Sequence, residues 1–154
     1  MTKIDPKDVQ RLRAESGAGV MDCKRALEET GGDYAKALAL IKERGIQSVA
    51  KKSERVAKEG VIAAYIHGTK RVGALVELAS ETDFVSRGDE FQKLAQEIAM
   101  QVAAMEPATV EELLEQPYIR DGSKKIKDLV TEVAAATKEN VHVRRIQRFA
   151  LGES

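Results

Sequence analysis

The chain has 154 residues, 43% hydrophobic and 32% charged, with 25 Lys and Arg balanced by 25 Asp and Glu. That length supports one medium domain or two small ones with a modest core. The zero net charge argues against nucleic acid as a direct partner, since such proteins carry a basic excess. The single Cys23 cannot form an intramolecular disulfide and suits a reducing compartment. No apolar run approaches the roughly 18 residues of a membrane span, and the N-terminal MTKIDPKDVQ has neither a signal-peptide core nor a transit-peptide pattern. A cytoplasmic protein with no membrane partner is expected.

The first predicted helix covers residues 5–16, with Asp5 as N-cap, Pro6 at its first position, and Val9 and Leu12 on one face. Gly17-Ala18-Gly19 turns the chain into a second helix, about 20–30, whose apolar candidates are Met21, Cys23, Ala26 and Leu27. Gly31-Gly32 ends it. Asp33 caps a third helix in which Tyr34, Ala37, Leu38 and Ile41 keep helical spacing. These helices predict a three-helix domain over residues 1–46. Residues 47–59, with Lys51, Lys52, Arg55 and Lys58, read as a basic helical connector, either solvated or facing an acidic partner.

Past Gly60 two β-type runs, 61–66 and 72–79, flank His67-Gly68-Thr69-Lys70-Arg71, a hairpin signal. Phe91, Leu94, Ala95, Ile98, Val102 and Met105 then follow a helical stripe that Pro107 stops. Thr109 caps a short turn, VEELLEQ. Asp121-Gly122 turns the chain into a further helix, SKKIKDLVTEVAAATKE, which Asn140 ends. In the last strand, Val141, Val143, Phe149 and Leu151 fall on one side, and His142, Arg144 and Arg148 on the other. The expected class is α+β: a helical domain, then a core domain over residues 60–154 (β-β-α-α-β) built on a three-stranded antiparallel sheet covered by helices.

Catalytic signals are absent from the pattern. His67 and His142 lack partners at metal spacing, and Cys23 sits in an apolar stripe. No phosphate-binding glycine motif occurs. No cofactor, metal or covalent chemistry is expected. Two places remain unusual. One is the Gly17–Asp22 corner, which reads as capping plus a core Met or as a contact. The other is Thr82-Asp83-Phe84-Val85. There Thr82 or Asp83 caps the next helix with Phe84 tucked beneath it, or Phe84 points outward as an aromatic anchor beside Asp83.

At these places the sequence resembles a known family. "LRAESGAGVMDCKRALEETGGDYAKALALIKERG" is similar to the ubiquitin-associated-like N-terminal domain of the bacterial translation elongation factor Ts family. "RVGALVELASETDFVSR" is similar to that family's Thr-Asp-Phe-Val corner, and "ENVHVRRIQRFALG" to its closing strand. Met105 runs almost directly into EELLEQPYI, so the chain resembles a short form. The resemblance implies a guanine-nucleotide exchange factor that binds the GTPase elongation factor Tu, GDP-bound and nucleotide-free. It implies that Thr82, Asp83, Phe84 and Val85 disturb the Mg²⁺ site and that Arg13, Val20 and Met21 touch the GTPase domain. Other classes are a non-catalytic adaptor and a ribosome-associated module using Lys51, Lys52, Arg55, Arg144 and Arg145. A homodimer would cover an exposed sheet edge and face.

Overall fold

The computed structural model describes residues 3–153. Met1 and Thr2 of the expected first domain and Ser154 of the expected last lie outside the described residues. The chain divides into two compact units between Lys51 and Lys52.

The first unit is helical. Helix α1 (Pro6–Ser16) starts at Asp5, whose carboxylate accepts from the Lys7 amide. It ends at Gly17, which takes φ 73° so that its N–H reaches the Arg13 carbonyl. A left-handed cap of this kind favours glycine. Helix α2 (Val20–Glu29) and helix α3 (Tyr34–Lys52) follow, with the Asp33 carboxylate accepting from the Lys36 amide. Leu12, Cys23, Ala26, Leu27 and Ala37 form the buried centre. Met21, expected among the apolar positions, is more than half exposed. Helix α3 runs on through Gly45, so residues 47–52 are its last turns and residues 53–58 are neither helix nor strand.

The second unit is α+β. Strands β1 (Glu59–Ile66), β2 (Val72–Ser80) and β5 (His142–Ala150) form an antiparallel sheet in the order β1-β2-β5. After β2 the one-turn α4 (Asp83–Ser86) leads into α5 (Asp89–Met105), which packs on all three strands. Phe91, Leu94, Ile98 and Val102 bury its stripe against Val76 and Leu78 of the sheet. Met105, expected in that stripe, is exposed at the helix end. Helix α6 (Val110–Glu115) is capped by Thr109.

Three further expectations need correction. Residues 123–125 are not helical: β3 (Pro117–Tyr118) and β4 (Asp121–Lys125) form a small hairpin, and α7 begins only at Ile126 and ends at Thr137. Buried Gln101 of α5 holds that hairpin extended, donating to the Pro117 carbonyl and accepting from the Ile119 amide. The hairpin so held overrides the local helical pattern over Ser123, Lys124 and Lys125. Nor does Asn140 end α7. That place falls to Lys138, a non-glycine residue at φ 61°.

The third correction concerns β5. Glu77 pairs with Arg145 but Leu78 pairs with Val143, which leaves Arg144 as an extra, bulged residue. One inserted residue reverses the inward-outward phase of everything after it. Phe149 and Leu151 therefore stand on the open face, while Arg148 turns inward. There Arg148 donates to the Ala103 carbonyl and pairs with Glu106 and Glu153.

Among the described residues no helix is long and apolar enough to cross a membrane. Gly60 in β1 adopts φ 143°, and a Cβ there would lie 2.1 Å from the Leu78 carbonyl oxygen. Gly60→Ala is expected to destabilise the core unit by about 2–4 kcal/mol, combining backbone strain with a clash that neither strand can relieve alone. Urea denaturation followed by circular dichroism checks this, and an unchanged midpoint would refute it.

Candidate functional site

Thr82-Asp83-Phe84-Val85 forms the corner where β2 passes into α4. Thr82 is the N-cap: its backbone is extended and its hydroxyl oxygen accepts from the Val85 amide at 3.4 Å. Asp83 is the first helical residue, not the cap, and its carboxylate lies 3.2 Å from the Arg87 guanidinium. Both side chains are exposed, so this pair adds only about 0–1 kcal/mol. Phe84 is not tucked beneath the helix; its residue is 85% exposed. Ser86 is buried, with its carbonyl accepting from the Gln92 side chain at 2.6 Å. Val85 is half-buried.

The corner is braced by residues that sequence reasoning missed as site components. Glu139, just after α7, accepts three hydrogen bonds. The amides of Glu81 and Thr82 each donate to one carboxylate oxygen at 3.0 Å, and the Thr82 hydroxyl donates to the other at 2.6 Å. Glu81 returns the contact, its carboxylate accepting from the Asn140 amide at 3.2 Å. Asn140 is buried, and its side-chain amide donates to the carbonyls of Ser53 and Arg55 at 3.1 and 2.7 Å. The only local signal was Glu139-Asn140 directly before the last strand. No spacing rule connects it to a site 57 residues earlier.

In the helical unit, Arg13 and Val20 line one shallow groove between α1 and α2 with Ile4, Pro6, Val9, Gln10 and Lys24. Met21 is not among these lining residues, and both Val20 and Met21 are exposed. The corner between the helices is fixed by Ser16, whose hydroxyl donates to the Leu12 carbonyl and accepts from the Ala18 amide. Cys23 is buried beneath this corner, and burial pushes its thiol pKa up, which opposes thiolate chemistry. Burial moves His142 the other way, below the ordinary histidine value. Among the described residues no three His, Cys, Asp or Glu side chains converge as a metal cage.

These contacts separate two substitutions that the sequence alone left equivalent. Thr82→Ala removes the cap and a hydrogen bond to a carboxylate, and is expected to cost about 1–2 kcal/mol. Asp83→Ala loses only an exposed pair and is expected to cost under about 1 kcal/mol. Paired urea titrations check the order, and an equal or reversed cost would refute the assignment of the cap.

A family model described as Elongation factor TS matches residues 81–154, the stretch from the braced corner to the last strand. The chain is 40% identical to "Elongation factor Ts" of Carboxydothermus hydrogenoformans over 195 aligned positions, covering 97% of this chain and 90% of the relative. It is 43% identical to "Elongation factor Ts" of Coprothermobacter proteolyticus over 196 positions, covering 98% of this chain and all of the relative. A relative of the same name, from Microcystis aeruginosa, is 39% identical, covering 99% of this chain and 79% of its own length. The aligned stretches exceed the chain's 154 residues, so these relatives carry segments that it lacks. With identity at this level over nearly its whole length, the chain belongs to the elongation factor Ts family, as a short form.

Proposed function

We propose that this chain is a guanine-nucleotide exchange factor for the translation GTPase elongation factor Tu, binding its GDP-bound and nucleotide-free forms. The observation that carries the reading is the exposure of Phe84, the highest of any large hydrophobic side chain among the described residues. An aromatic ring held in water on a braced corner is an anchor in search of an apolar pocket. The family membership supplies the partner class.

The mechanism needs no covalent chemistry. GDP on a GTPase is held by phosphate contacts and Mg²⁺. A protein that binds the empty GTPase better than the loaded one must weaken nucleotide binding by the same factor, because the coupling is reciprocal. A 10⁴-fold acceleration of release corresponds to about 5.5 kcal/mol of barrier, within the range that a few central interface residues supply. Phe84 is the wedge at the Mg²⁺ site. Asp83 brings negative charge toward the phosphates, Thr82 fixes the corner, and Val85 backs the ring. Arg13, Val20 and Met21 form a second contact, with the GTPase domain. The residues 1–46 act as a ubiquitin-associated-like docking domain.

A second copy of the chain is the occupant we assign to the open face of the sheet. Ile62, Ile66, Leu75 and Phe149 stand there between 46% and 69% exposed, with Glu77 and Arg145 paired at one end. Across a two-fold axis the patch meets itself, and the zero net charge puts no long-range repulsion between copies.

Two outcomes are expected. In stopped-flow release of a fluorescent GDP from elongation factor Tu, Phe84→Ala lowers exchange at least about tenfold, about 1.4 kcal/mol, with the fold intact; a near-normal rate would defeat the wedge. In light scattering the chain runs as a dimer and Phe149→Glu as a monomer; a monomeric parent chain at roughly tens of micromolar would rule the dimer out.

A further inference from the structure

Helix α4 is one turn long and cannot hold its own geometry, since isolated turns do not pay back their nucleation. Its C-terminal end is fixed by buried Ser86 and the Gln92 side chain. Its N-terminal end depends on Glu139. The Thr82 hydroxyl has one proton, and that proton goes to the Glu139 carboxylate. This leaves the hydroxyl lone pairs for the Val85 amide, the first bond that shapes the turn under Phe84. Without Glu139 the hydroxyl is free to rotate and donate elsewhere, and local side-chain bonds compete with helical ones. The amides of Glu81 and Thr82 also converge on Glu139. One carboxylate thus sets both the direction in which the chain leaves β2 and the cap that starts α4.

We propose that Glu139 is a positioning residue for nucleotide exchange. It acts through Phe84, fixing the orientation and rigidity with which the ring is presented. The proposal rests on the reading of Phe84 as the exchanging side chain. A preorganised ring loses little freedom on insertion, whereas a swinging one spends interaction energy on being ordered. The effect of Glu139 therefore falls on the release step inside the complex and not on the encounter, to which the helical unit contributes separately.

The test uses the full chain and GDP-loaded elongation factor Tu, with release of a fluorescent GDP followed against chain concentration. Glu139→Ala and the isosteric Glu139→Gln are each expected to lower the saturating release rate about five- to tenfold, with the half-saturating concentration within about twofold of the parent. In a Phe84→Ala background, Glu139→Gln is expected to add less than about twofold, because a residue that acts through the ring has nothing left to position. Circular dichroism confirms folding, and Glu139→Gln, which keeps an acceptor oxygen for the two amides, carries the test if Glu139→Ala unfolds. Equal effects of Glu139→Gln with and without Phe84, or a change confined to half-saturation, would mean that it does not work through the ring. A parent-like rate for Glu139→Gln while Phe84→Ala is slow would overturn the positioning role alone. A parent-like rate for Phe84→Ala would overturn both readings.

Discussion

The carboxylate of Glu139 joins two chain segments that leave neighbouring strands in opposite directions. Strands β2 and β5 are paired up to Ala79 and His142. Beyond that point the ladder has no more bonds to give, and side chains take over its work. Glu139 receives the amides that follow β2, while Glu81 receives the amide that precedes β5. The exchange is reciprocal, like one further rung in which carboxylates replace carbonyls. Bonds to an ionised acceptor are stronger than amide–carbonyl bonds, which suits a place where the chain must turn sharply and still carry an exposed aromatic ring. Asn140 extends the brace to Ser53 and Arg55, at the point where the chain first enters the core unit.

Much of this fold was legible in the residues because local and global preferences agree. Asp5 with Pro6, Asp33, and the Gly17 corner mark helix ends by chemistry that holds regardless of packing. The stripe from Phe91 to Val102 and the hairpin around Gly68 are equally self-consistent. Expectation failed where a distant partner decided. SKK looked helical but lies extended in the hairpin that Gln101 grips, and nothing near Ser123 announces Gln101. The site divides the same way. The exposed ring could be suspected from the rarity of Phe beside polar residues, but alternation and capping rules do not say whether such a ring turns in or out. The brace partner was invisible because a Glu after a helix is ordinary until the fold brings it to Thr82.

The two units solve related problems by different means. In the helical unit, Val20 and Met21 are displayed on the first turn of a ten-residue helix whose other face is buried through Cys23, Ala26 and Leu27. A regular element suffices there, because packing of its buried face holds the display surface in place. In the core unit, the displayed ring sits on a turn too short for self-support, and remote side chains hold it. The displayed residues are thus held by an apolar core in one case and by a polar cluster in the other.

The single extra residue at Arg144 has a reach well beyond its own position. Strand side chains obey parity, and a bulge is a parity change written into one strand of three. Had β5 run evenly, Phe149 would have entered the layer beneath α5 and Arg148 would have faced outward. The small Ala74 opposite Arg148 matches the actual phase, and Gly73 opposite Phe149 leaves room for Ile66, whose Cδ1 would lie 2.6 Å from a Cβ there. The share of β5 in that outer surface is therefore set by one inserted amino acid, and a one-residue shortening there would exchange the inside and outside of the strand's last half.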